Sequence, residues 1–510
     1  MLKIMVDLSM AADGYAGIPQ DSRQIFSMLS HDDAFRVSGL LYSQHHRYPV
    51  RIKPSARDAE ARIAAGLHTI GLGREHMGGG SARARLFDRF RGPFLDAMAA
   101  LRSTHSVHRI PEWLKTDLLW RSLFQKTLPS HERLRILEND FFITDVSAPL
   151  LDARANALPP YLASKNLSIQ DQDAVLFPVP RPIRLGPGVK KVVRYHDAIP
   201  MTQADTAHWR CAMLHHRMTN LCAHDSIFVC NSPMSVDDLD HVAPGAGGRA
   251  VVIPCAIQPP VPITHPISVQ DILMRRISFA ARGMEPHQPQ SLTVRRTVER
   301  QLRQQKALRY IICVSTIEPR KNYPGLIAAW ERMRLATGKD VKLVIVGQYG
   351  WSTEQSLAAM RPNVLAGNLI HVDKVPIDEL QVLYQNAEFC AFMPFAEGFG
   401  YCPLEAMQMG TLAVVSDLPV LRWTLGNAGL FADPYSPAAM ADAMRRLLDA
   451  PENRETRAQL KHKAAAVTER FAFSTVARQW SAFLHEVCQV RRSEEFQTPA
   501  PTLAPALADG

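Results

Sequence analysis

At 510 residues the chain is too long for a single hydrophobic core and fits two or more domains of roughly 150 residues each. With 46% apolar and 21% charged residues it has a globular composition, and the absence of any apolar run near ~20 residues excludes a spanning helix. The net charge of +9 favours anionic partners, while the eight cysteines show no CxxC pair and no Cys/His cluster at zinc-ligand spacing and read as reduced, mostly buried thiols.

The opening MLKIMVDLSM lacks the charged, apolar and small-residue succession of a secretory signal, so the cytoplasm is the expected compartment. Lys3 to Leu8 predicts a first strand, the segment SMAADGYAGIPQDS a glycine loop, and a helix is expected from near Arg23. The segment 82–126 mixes arginine with Phe and Trp on expected helices. Leu86, Phe90 and Phe94 share a face there, with Arg83 and Arg91 elsewhere, a pattern that fits either packing on a sheet or contact with an anionic membrane. Apolar runs followed by turn residues recur at 141–147, 174–180, 192–197, 226–232 and 251–255, which predicts a parallel sheet alternating with helices. A proline-rich stretch and a basic helix-like segment at 258–306 interrupt the pattern and read as a connection with an insertion. A second alternating series follows at 310–315, 341–347, 369–373, 389–394 and 411–417. A last helix is expected over 473–490, then a Pro/Ala/Thr-rich tail predicted to be disordered, and there is no internal repeat.

The segment EGFGYCPLE, Glu397 to Glu405, lies where a strand gives way to a helix expected from near Pro403 to Gly410. Gly398 and Gly400 permit close backbone approach to a ligand, and the helix start offers unpaired N–H groups to phosphate or sugar oxygens. Glu405 is expected in the first helical turn, and two carboxylates so spaced can both accept hydroxyl hydrogen bonds in one crevice. Alone, the pair would favour a structural role as helix-dipole partners.

It does not stand alone. EGFGYCPLEAMQMGTLAVVSD resembles the signature of glycosyltransferase family 4, the group 1 glycosyltransferases. VSTIEPRKN (314–322), LVIVGQYGW (343–351) and GNAGLFADP (426–434) resemble the flanking segments of that family, and the likeness covers nearly all of 309–490 but only patches of the first half. It implies an α/β, GT-B fold with two Rossmann-like domains facing each other across a cleft. The implied parts are an acceptor-side domain at 1–257, a linker or insertion at 258–308, a nucleotide-sugar-binding domain at 309–472, a helix crossing back at 473–490 and a disordered tail at 491–510.

By the same resemblance Glu405 would hold the ribose hydroxyls and Glu397 the donor sugar, with the amides of Gly398, Phe399 and Gly400 beside the sugar or phosphates. Lys321 would grip the diphosphate, assisted by Arg320. A fixed cation there would stabilise the leaving group's charge by about 3 kcal/mol or more. Many relatives carry an arginine where Ser315 stands, so fewer cations are expected. VVRYHDAIPM resembles the family's His-Asp motif: His196 would meet a sugar hydroxyl near the reacting carbon and Asp197 would orient it or bind acceptor. Gly17 resembles the glycine that admits the diphosphate to the first strand–helix turn. The implied activity is retaining transfer of a hexosyl, mannosyl-type residue from a nucleotide-diphosphate sugar to a glycan or lipid-linked acceptor in surface polysaccharide synthesis. No metal, no other cofactor and no nucleic acid are implied, and the place would be the cytoplasm or the inner face of an anionic membrane. Against this stand an epimerase or phosphorylase on the same fold and an inactive binding partner.

Overall fold

The computed structural model describes residues 1–42, 104–144, 163–203, 209–277 and 308–489, apart from short gaps within those spans. Arg83, Leu86, Phe90, Arg91 and Phe94, with the expected membrane contact, and the tail 491–510 lie outside the described residues.

The first half of the chain builds a ten-stranded sheet from β1 (Leu2–Asp7), β2 (Phe35–Tyr42), β3 (Thr104–Arg109), β4 (Asp140–Thr144), β5 (Lys165–Ser168), β6 (Ala174–Phe177), β7 (Ile183–Arg184), β8 (Lys190–Tyr195), β9 (Ile227–Cys230) and β10 (Val251–Val252). Their spatial order is β10-β9-β8-β6-β1-β2-β4-β3-β5-β7. The central strands are mostly apolar because both faces are covered, with Asp7 in β1 and Arg194 in β8 buried exceptions, and β1 runs parallel to both neighbours, Ile4 facing Val37 and Ala174. The exception to a parallel sheet is β3, which pairs antiparallel with β4. Thr104–Arg109 is therefore a strand where helix was expected. Its polar sequence THSVHR carries little strand signal, and pairing with β4 and β5 decides its conformation.

The second half builds a six-stranded parallel sheet from β11 (Tyr310–Val314), β12 (Lys342–Val346), β13 (Leu369–Val372), β14 (Cys390–Phe392), β15 (Ala413–Ser416) and β16 (Leu430–Ala432), in the order β13-β12-β11-β14-β15-β16. Strands β11 to β15 each lie within an expected run, whereas β16 falls in the segment 426–434, where no strand was expected. Helices cover both faces, giving each sheet two apolar layers. Within 258–308 the helix Val269–Arg276 packs Ile272 and Leu273 into the core of the second sheet.

The chain passes between the two sheets twice, side by side. Ile257 on the outward passage donates its N–H to Phe471 O on the return, at 2.8 Å. Beyond that crossing the helix Phe473–Gln489 buries Val476, Trp480, Phe483 and Leu484 in the core of the first sheet, so the chain's end clasps its beginning. The first helix, Ile18–Ser30, starts earlier than expected because Pro19 suits a first helical turn. Among the described residues no helix is long and apolar enough to cross a membrane.

Candidate active site

Strand β14 ends at Phe392, and the loop after it carries Glu397 into the cleft. The loop is pinned to the turn after β11 by Phe395 N–H donating to Arg320 O at 2.9 Å. The helix Tyr401–Gln408 then begins at a left-handed Gly400, φ 95°, where a Cβ would stand 2.5 Å from Leu421 Cδ2. Because the helix starts at Tyr401 and not near Pro403, Glu405 lies in its second turn, a correction to the expected first-turn position. The Phe399 ring turns away from the cleft and packs on Tyr401, Trp423 and Phe471, which locks the loop from beneath.

Lys321 and Arg320 sit on a short turn, Pro319–Lys321, followed by Asn322 in a left-handed conformation, φ 56°. Asn322 caps the next helix by accepting from Gly325 N–H and donates Nδ2–H to Pro434 O at 2.8 Å, tying the segment 426–434 to this loop. Lys321 Nζ donates to Glu397 Oε2 at 2.6 Å. Arg320 donates to the same oxygen at 3.3 Å and to Glu318 Oε1 at 2.6 Å. Burial works against the charge on Glu397, but Lys321 and then Arg320 override it and hold the carboxyl at about 2. The pair is therefore ionised, two cations gathered on one carboxylate.

Asp197, from the first domain, reaches the same cluster. A Cβ on Gly398 would lie 2.5 Å from Asp197 Oδ2, so glycine there lets the two domains approach. Asp197 Oδ1 accepts from Ile199 N–H at 3.0 Å. Burial raises its pKa, opposed by Arg320.

Glu405 stands apart, on the wall of a cavity of about 330 Å³ between the domains. Gly14, Tyr15 and Gln20 line it from the first domain, and Ser315, Gly347 and Tyr384 from the second. Gln20 Nε2 donates to Glu405 Oε1 at 2.7 Å, and Tyr384 OH donates to Oε2 at 3.3 Å. Burial pushes this carboxyl up to about 6 in spite of both bonds. The two glutamates of one segment thus have opposite electrostatics: Glu397 is neutralised by cations, whereas Glu405 is buried among uncharged donors. Lys321, Arg320, Glu397 and His196 do not line this cavity. Gly17 does not line it either. At φ 69° it caps the first helix with open space around the position of a Cβ, while Gly14 and Tyr15 of the same loop form the wall.

His196 follows β8. Its Nε2 lies 3.1 Å from the Pro178 carbonyl oxygen, which only accepts, so Nε2 carries the proton and Nδ1 is left as an acceptor. Burial depresses its pKa and keeps the ring neutral. Asp21, His196 and Cys255 have potential ligand atoms within 4.8 Å of one another. The Arg194 guanidinium is already among them, with Nε 2.8 Å from Asp21 Oδ2 and Nη2 3.3 Å from Cys255 Sγ. A fixed positive charge there disfavours a metal ion.

Sequence reasoning missed Gln20, Asp21, Tyr384 and Arg194. For Arg194 a signal existed: a charged residue inside the apolar run VVRY has to be paired if that strand is buried.

Residues 294–467 match the family model of the group 1 glycosyl transferases. Lys321, Arg320, Glu397 and Glu405 lie within the matched residues. The O-antigen chain mannosyltransferase B of Escherichia coli is 33% identical over 132 residues, which cover 26% of this chain and 35% of that relative. The chain thus matches about a third of that relative's length.

Solved structures match over nearly the whole chain. Sucrose-phosphate synthase from Thermosynechococcus elongatus aligns with a TM-score of 0.54 at 13% identity, covering 96% of this chain and 99% of that one. An Anabaena protein in complex with UDP and glucose aligns with a TM-score of 0.51 at 12% identity, covering 95% and 100%. The fold is GT-B, two α/β domains facing a cleft.

Proposed function

We propose that the protein is a retaining glycosyltransferase that moves a hexosyl residue, of mannosyl type, from a nucleotide-diphosphate sugar to a glycan or lipid-linked acceptor in surface polysaccharide synthesis. The observation that carries this reading is the pairing of Lys321 and Arg320 with Glu397, on the same segment as the Glu405 that walls an interdomain cavity. Two cations suit a diphosphate, and a carboxylate among neutral donors suits ribose hydroxyls. The match of residues 294–467 and the likeness to a mannosyltransferase support the class of reaction and the sugar.

In this reading the nucleotide enters the cavity and Glu405 exchanges the Gln20 amide for ribose hydroxyls. Lys321 and Arg320 turn from Glu397 to the diphosphate, which releases Glu397 to the donor sugar. The bond from the anomeric carbon to the diphosphate oxygen breaks as that carbon bonds to the acceptor oxygen on the same face. The departing diphosphate oxygen takes the acceptor proton. Lys321 and Arg320 stabilise the charge that develops, so no metal is required. Neutral His196 accepts a hydrogen bond from a sugar hydroxyl at Nδ1, and Asp197 orients the acceptor. The acceptor's lipid would place the enzyme at the inner face of a membrane.

The test offers the purified protein a panel of nucleotide sugars with lipid-linked acceptors and determines the anomeric configuration of the product. Turnover with the donor's configuration kept is expected. An inverted product, or donor turnover that yields an epimer or depends on free phosphate, would refute the reading.

A further inference from the structure

One buried ion pair at the domain junction belongs to none of the donor contacts. Asp21, in the first helix, is 1% exposed, and Arg194, in β8, is 0% exposed. Arg194 is held on all sides. It donates Nε–H to Asp21 Oδ2 at 2.8 Å, Nη1–H to Ile253 O at 2.5 Å and Nη2–H to Cys255 Sγ at 3.3 Å, and its guanidinium lies 5.6 Å from the Trp480 ring centre. The carboxylate of Asp21 is therefore immobilised by a cation that itself belongs to β8 and is anchored to the segment after β10 and to the clasping helix.

That carboxylate has two further neighbours, one from each domain. His196 Nε2 lies 3.9 Å from Oδ2, and the Tyr401 hydroxyl donates to Oδ1 at 3.3 Å. Tyr401 is the first residue of the helix that carries Glu405 and directly follows the loop that carries Glu397. Gln24 supports the contact: its Oε1 lies 3.3 Å from the Tyr401 hydroxyl and its Nε2 has no partner. Exchanging the amide oxygen and nitrogen would let Gln24 donate to Tyr401 and send the hydroxyl proton to Asp21. Buried ion pairs seldom stabilise more than apolar residues of the same shape, so this one points to a use other than stability.

We propose that Asp21 is a positioning residue of the transfer reaction, its carboxylate lying against the His196 imidazole of one domain, which the Pro178 carbonyl orients, while it accepts from the Tyr401 end of the glutamate-bearing helix of the other. The inference rests on the transferase reading above. It brings the His196 side of the cleft and the donor wall to one carboxylate, so that His196 meets the donor only when Tyr401 is docked. Asp21→Asn strips Arg194 of its counter-charge and is expected to unfold the first domain. Tyr401→Phe, which spares that ion pair, is the decisive variant.

Turnover and nucleoside diphosphate affinity are to be measured for Tyr401→Phe, His196→Ala and the double variant. Each single change should lower kcat about tenfold or more and leave nucleotide affinity within about threefold, with the double variant no worse than His196→Ala by more than about threefold. Losses that multiply, or that follow affinity, would overturn the inference. Hydrogen exchange over residues 18–30 gives a readout without turnover. Exchange should rise in Tyr401→Phe with and without nucleoside diphosphate, and unchanged exchange overturns the inference. Failure of the wild type to use any nucleotide sugar would instead overturn the transferase reading.

Discussion

The two glutamates behave oppositely because of what surrounds them within a few ångströms. Glu405 has its folded pKa at about 6, above the ordinary 4.5, because it is buried without a cation. A raised acid contributes stability below the unfolded value, and that contribution is lost as pH rises through the folded value. The displacement from 4.5 to about 6 corresponds to about 2 kcal/mol carried as a penalty near neutrality. Glu405→Gln should therefore unfold at a higher temperature than the wild type at about pH 8 and at nearly the same temperature at about pH 4.5. A scan of Tm against pH checks this, and a constant difference would contradict it. Glu397 is the reverse case, ionised against Lys321 and Arg320. Lys321→Ala should lower kcat by about 10²–10³-fold, as expected when a fixed charge opposite a leaving group is lost. Steady-state kinetics on the donor identified by the panel would show it.

At the scale of elements, the loop 395–400 is shaped by an aromatic ring below and a glycine at its end. Gly400→Ala would force a side chain into a left-handed conformation against Leu421. It should cost about 2 kcal/mol or more and shift the helix that carries Glu405, read as a lower Tm together with weaker nucleotide binding. How much of this was legible in the sequence depended on the range of the interaction. Strands β11 to β15 and the helix after Gly400 declare themselves through local apolar runs and glycines. Strand β3 does not, since its polar THSVHR takes its conformation from β4 and β5. The glutamates and Lys321 were visible because one short segment and one loop carry them. Gln20 meeting Glu405 spans 385 residues and Arg194 meeting Asp21 spans 173, and no local pattern encodes such meetings. Only the misplaced charge of Arg194 hinted that β8 had a buried partner.

At the scale of the molecule, two sheets are joined by paired crossings and a terminal helix that returns to the first domain. Trp480 is fully buried there and stacks beside Arg194, so Trp480→Ala should cost about 3–5 kcal/mol and loosen the first domain before the second. Hydrogen exchange rising over 473–489 and 18–30 ahead of 310–346 would register it. The domains meet along Gln20–Glu405, Asp21–Tyr401 and Asp197–Gly398, and the proposed chemistry depends on ligands replacing the first of these contacts. The most direct measurement is calorimetric titration of a nucleotide-diphosphate sugar into the wild type and Glu405→Ala at about pH 8. The account predicts one site on the wild type and affinity at least about tenfold weaker in the variant. Equal affinity in both proteins would contradict it.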